Sequence, residues 1–138
     1  MKGKKFFIVG ALSLALLIAN FSVSYGSDKE ICEKQIECYL KIKMNDGLLP
    51  GDEFNPYNFK VVEGAAKAMA ENEAKRTHSD KNHAAITKLV TGHINNIETA
   101  AGKASEGSVE VIGHSLRFLY LSCKACHKVY RTEMRLRP

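Results

Sequence analysis

The sequence predicts an all-α fold, an antiparallel four-helix bundle, on three observations. Residues 27–138 contain no strand-like alternation of useful length. Apolar residues recur instead at helical spacing in four stretches. Turn chemistry separates those stretches, with connections short enough to make neighbours antiparallel.

The first helix is expected from about Ser27 to Met44, where Ser27-Asp-Lys-Glu30 is a capping-box pattern. A linker from Asn45 to Tyr57 follows, because Gly47, Pro50, Gly51 and Pro56 are too many breakers for regular structure. The second helix is predicted over Asn58 to Arg76, with Val61, Val62, Ala65, Ala66, Met69 and Ala70 inward. Ser79 and Asp80 are good caps for a third, from Lys81 to about Ala101. Its apolar positions Ile86, Leu89, Val90, Ile94 and Ile97 keep helical spacing. Gly102 to Gly107 forms the last turn, and Ser108 opens a fourth helix running to about Arg135. Val109, Ile112, Leu116, Leu119, Cys123, Cys126, Tyr130 and Met134 follow one stripe along it.

The 138 residues suffice for one domain after a targeting segment. Residues 1–26 read as a secretory signal: Lys2, Lys4 and Lys5 begin it, Phe6 to Phe21 is apolar, and Ser24 and Gly26 fit a peptidase site before Ser27. The alternative is an uncleaved membrane anchor. Either way residues 27–138 form the domain, and a periplasmic location is expected. The net charge of +5 falls to +2 once the three lysines leave, so it gives no case for nucleic-acid binding.

Four cysteines in an exported chain would ordinarily suggest two disulfides. For one pair that reading fails, because Cys123 and Cys126 are followed at once by His127, the spacing that attaches c-type haem. At about 100° per residue, Cys126 lies about 300° and His127 about 40° round from Cys123, so all three project from one side of a helix. Two thiols can then join one porphyrin's vinyl groups while the imidazole becomes the proximal axial ligand of its iron. A redox Cys-x-x-Cys would belong near a βαβ pattern, which is missing here. Zinc would want a second clustered ligand pair, and neither Cys32, Cys38 nor the other histidines supply one.

Ser122-Cys-Lys-Ala-Cys-His-Lys-Val-Tyr-Arg131, at the end of the last helix, resembles the C-terminal signature of the cytochromes c′, the class II c-type cytochromes. Pro56-Tyr57-Asn58 is a weaker echo of the tripeptide that opens the second helix in some members. The resemblance implies a four-helix bundle with one covalent haem c, Cys123 and Cys126 as thioethers, His127 on the iron, and Arg131 near the proximal imidazole. It also implies electron transfer, or binding of a small gas such as NO or CO where the iron is five-coordinate. Dimers are common among similar proteins, so a homodimer is an expectation, although nothing in these helices specifies one.

The opposite side of the iron is less defined. His114 lies about 20 Å from His127 along one helix, and His93 about 15 Å below the haem level, so neither serves that iron. His78 and His83, in or beside a polar connection, are expected to be solvent-exposed. The first helix offers Ile36, Cys38 and Tyr39 as distal-side candidates, while Met44 is too far along and reads as core filler. The family's usual aromatic-arginine pattern on this helix is absent. Cys32 and Cys38 are either bonded across an irregular helix start or separate small core residues; on a continuous helix they lie about 9 Å apart. Lys124, Lys128, Arg131, Arg135 and Arg137 form a positive rim that suits an acidic redox partner, or that merely favours the helix dipole. No acid/base pair for catalysis is visible, so no enzyme is expected.

Overall fold

The structure is a computed structural model that describes residues 28–51, 57–78 and 80–130, with Tyr130 described by its backbone alone. The expected signal at 1–26, the caps Ser27 and Ser79, Pro56, Met134 and Arg131 with the rest of the basic tail lie outside the described residues. Among the described residues all regular secondary structure is helical: α1 (Asp28–Lys43), α2 (Phe59–Glu73), α3 (Lys81–Lys103) and α4 (Ser108–Tyr130). None of these is long and apolar enough to cross a membrane.

Local chemistry accounts for the boundaries. Asp28 and Glu30 at the start of α1, with Lys41 and Lys43 in its last turn, oppose the helix dipole. Gly47 takes φ 85° in the turn that follows, a conformation that costs glycine nothing. The Asn58 side chain caps α2 by accepting from the Val61 N–H at 3.1 Å, and Asp80 caps α3 through the His83 N–H at 2.8 Å. α2 ends at Glu73, three residues before the expected Arg76, because the chain turns there to reach α3. α3 ends on Ala104, held left-handed at φ 47°. Ser105 and Ser108 then exchange backbone and side-chain hydrogen bonds that start α4.

Consecutive helices run antiparallel. The Asn72 amide near the end of α2 donates to the Ile31 carbonyl near the start of α1 at 2.8 Å, and the Asn58 N–H donates to the Asn45 side chain at the other end. Gly102 of α3 lies against Glu63 of α2, and His93 of α3 stacks on Phe118 of α4 at 5.8 Å. Tyr39 and Tyr120, 6.2 Å apart, close the ring between α1 and α4. Ile42, Val62, Ala66, Met69, Ile94, Ile97, Ile112, Leu116 and Leu119 form the core.

Four expectations are corrected. Val61 and Leu89 are exposed, because their helices sit between neighbours on only one side and the apolar stripe is narrower than spacing alone implies. Met44 is 79% exposed, since α1 has already ended at Lys43 and turned outward, so it fills no core. His83 is buried at 3% exposure, because the phase of α3 after its Asp80 cap turns that side chain inward despite its polar neighbours in the chain. His78 does stay exposed, its ring within 3.3 Å of the Thr87 hydroxyl.

Candidate functional site

α1 and α4 touch least of the four neighbouring helix pairs, and a cavity of about 750 Å³ occupies the gap between them. This lies within the range of roughly 300–1,000 Å³ usual for small-molecule and cofactor sites. One wall is a face of α1 carrying Cys32, Gln35, Ile36, Tyr39, Leu40 and Lys43, spaced at helical intervals. The other is the face of α4 from Gly113 to His127, about 21 Å of helix. Met69 and Glu73 of α2 and Arg76 just beyond its end, with Thr87 and Val90 of α3, form the floor.

Cys123, Cys126 and His127 all line this cavity at one end, each half-buried, as their places on one side of α4 require. Of the distal-side candidates, Ile36 and Tyr39 line the cavity wall across from them. Cys38 does not: it packs against the core, because two residues on from Ile36 it lies about 160° round the helix from it, outside the cavity-facing sector. α1 is continuous through both Cys32 and Cys38, and all four cysteines are free thiols. The two are therefore separate residues, Cys32 buried beside the cavity and Cys38 half-buried against the core. His114 also lines the cavity, but at the far end with Lys43, Asp46 and Arg117.

The thiol end contains a buried ionic group. The Arg76 guanidinium donates to Glu73 through Nε at 2.5 Å and Nη2 at 3.1 Å, and to Asp28 at 3.2 Å. Its Nη atoms approach Cys32 Sγ at 3.9 and 4.0 Å. Gln35 Nε2 donates to the second Glu73 oxygen at 2.9 Å and to the Met69 carbonyl at 3.1 Å. Burial works against the Arg76 charge, yet the hydrogen bonds and charge of Glu73 outweigh it and push the arginine pKa up. Arg76 and Glu73 were invisible as a site from sequence, where they look like an ordinary helix-end i, i+3 pair. Only the fold turns both side chains inward.

Burial, aided by the negative charge of Glu73, pushes Cys123 up to about 12, with Arg76 opposing; burial raises Cys126 as well. A dithiol poised for exchange has its nucleophilic cysteine shifted the other way. Among the described residues no three His, Cys, Asp or Glu side chains are grouped to hold a metal ion by themselves.

A porphyrin asks the chain for two thiols and one imidazole opening into an apolar space, and this cavity provides them along one helix face. Comparison with known proteins yields no matching family model, no similar curated protein and no similar solved structure.

Proposed function

We propose that this chain is an exported mono-haem c-type cytochrome of the c′ kind, an antiparallel four-helix bundle that transfers electrons through a covalently held haem. The observation that carries the reading is the shared opening of Cys123, Cys126 and His127 into the apolar cavity between α1 and α4. Haem, when bound, supplies a reversible one-electron change at its iron. The chain's own contribution is to hold and shield it. Cys123 and Cys126 would hold the haem as thioethers, and His127 would ligate its iron. Ile36, Leu40, Val90 and Leu116 exclude water from its faces. A site packed between helices changes shape little between oxidation states, which suits a carrier. Lys124 and Lys128, both exposed beside the site, present positive charge to an acidic partner.

The apolar wall favours a second reading. Ile36 and Leu40 on α1 offer the iron no ligand, and Tyr39 is drawn toward Tyr120. An iron left five-coordinate would bind NO or CO, and the chain would then be a gas-binding module. Met69 on the cavity floor and Cys32 on its α1 wall are soft donors, either of which would instead close the iron to such gases.

Maturation in a haem-loading host tests the proposal. The purified chain should carry the mass of one haem and keep its red colour through acid–acetone extraction. Replacing both cysteines (Cys123→Ser with Cys126→Ser) should abolish both properties. A bare-polypeptide mass for the unaltered chain would overturn the reading. Adding CO to the reduced protein then separates the two functions: a strong spectral change marks an open iron, and an unchanged low-spin spectrum marks a six-coordinate electron carrier.

A further inference from the structure

The cavity between α1 and α4 is built differently at its two ends. At the thiol end, Cys123 and Cys126 lie on the core side of α4. At about 100° per residue, Cys123 falls about 20° from Ile112 and Cys126 about 20° from Leu119, both of them core residues. Arg76 is the cation lining that end, and Glu73 and Asp28 already hold it. A carboxylate entering there would meet two others and a guanidinium that is spent.

The far end is an exposed, basic mouth. Lys43 of α1 with His114 and Arg117 of α4 line it, and all three are exposed. Arg117 lies about 140° round from Ile112, on the outward flank of α4. It stands about 9 Å along the helix from Cys123 and about 14 Å from Cys126. Asp46 is the acidic group at this mouth, and Lys43 takes it in an ion pair. Among the described residues Arg117 has no acidic partner. The mouth therefore keeps one uncommitted positive charge, on the side chain whose planar fork of N–H donors matches a carboxylate best. His114, three residues before Arg117, sits on the adjoining turn of the same helix.

Haem has a matching asymmetry. Its two vinyl groups leave one edge of the porphyrin, and its two propionates leave the opposite edge. Resting on the cytochrome reading above, a vinyl edge turned to Cys123 and Cys126 puts the propionate edge away from the core, toward solvent. We infer that Arg117, bordered by Lys43 and His114, is the carboxylate-recognition site of this cavity and holds the haem propionates. Arg117 is a positioning residue: it sets which way round the porphyrin enters, so that the vinyl groups meet the thiols. It also makes the cavity prefer a porphyrin with free carboxylates to an uncharged one.

Titrating the haem-free full chain with haemin and with haemin dimethyl ester tests this, binding being read from the Soret band and folding from circular dichroism. The wild type should bind haemin about fivefold tighter than the ester, the size an exposed charge pair contributes. Added salt should narrow that gap. Arg117→Gln should lose the preference while binding the ester as the wild type does. Lys67→Gln, exposed on α2 and outside the cavity lining, should keep it. The haem-loaded protein gives a second readout that does not require the haem-free chain to fold. Coupling of the haem carboxylates to an amine by a water-soluble carbodiimide, followed by mass, should run about fivefold faster in Arg117→Gln than in the wild type. Equal wild-type affinities for haemin and its ester would overturn the inference and leave covalent haem attachment standing. So would a preference or a coupling rate that Arg117→Gln leaves unchanged. A wild type that never gains the mass of haem would overturn both this inference and the cytochrome reading beneath it.

Discussion

Replacing Arg76 by methionine removes the guanidinium that holds the thiol end of the cavity together. The Arg76 side chain is 8% exposed and Glu73 4%. Loss of the cation leaves the Glu73 carboxylate buried with the Gln35 amide as the donor identified in its shell. Taking one partner out of a buried ion pair costs about 3–5 kcal/mol, because the remaining charge stays desolvated without compensation. For a domain of this size that corresponds to a Tm lower by about 15 °C or more. The double variant Arg76→Met with Glu73→Gln should be less damaged, recovering at least about 2 kcal/mol, because neither charge is then stranded and Gln35 keeps an acceptor. Urea unfolding followed by far-ultraviolet circular dichroism measures all three stabilities with one probe. A single variant within about 1 kcal/mol of wild type would refute the reasoning. A double variant no more stable than Arg76→Met would refute it too, since the loss would then come from packing rather than charge.

Three further outcomes follow from positions elsewhere in the fold. Ile94→Ala, at a fully buried core site, should lower stability by about 2–5 kcal/mol, while Leu89→Ala on the exposed flank of the same helix should stay within about 0.5 kcal/mol in the same urea titration. Ala104→Gly should raise stability by about 1 kcal/mol, seen as a higher urea midpoint, because glycine takes the left-handed φ of 47° without a Cβ clash. Burial, helped by the negative Asp46, raises the Tyr57 hydroxyl to about 12. The native state therefore holds that proton more tightly than the unfolded chain, whose tyrosines ionise near about 10. Its contribution is fully present below about pH 10 and is lost as pH climbs toward 12, at no more than about 1.4 kcal/mol per pH unit. Tyr57→Phe should flatten that part of the stability–pH curve, and an unchanged curve would count against the assignment.

Helix order and boundaries were legible because each rests on chemistry local to a few residues. Asn58, Asp80 and Ser108 announce three helix starts by side-chain type alone, and each start falls at or one residue beyond them. The errors come where burial depends on which neighbour a face meets. Val61 and Val62 are alike in sequence, yet only Val62 faces the core, because a helix covered on one side buries a narrow sector. His83 went the other way. Its polar surroundings in the chain predict exposure, but the cap on Asp80 fixes the phase of α3 and carries the imidazole inside.

The same distinction runs through the candidate site. Cys123, Cys126 and His127 could be placed on one side of one helix by arithmetic, since every coordinate involved lies within five residues. The wall opposite them depends on the rotation of α1 about its own axis, which no local signal specifies; hence Ile36 and Tyr39 line the cavity while Cys38 turns to the core. The floor is harder still. Arg76 reaches Glu73 within its own helix end, Asp28 and Cys32 on α1, and through Glu73 the amide of Gln35. A buried cation with partners from two helices can exist only after those helices have packed, so the sequence shows the residues without their meeting. That ordering has a consequence for the site: the wall beside Cys123 and Cys126 is held by contacts between α1 and α2, and α4 supplies the thiols. Damage to the Arg76 group should therefore disturb the cavity while leaving the Cys-x-x-Cys-His segment itself untouched.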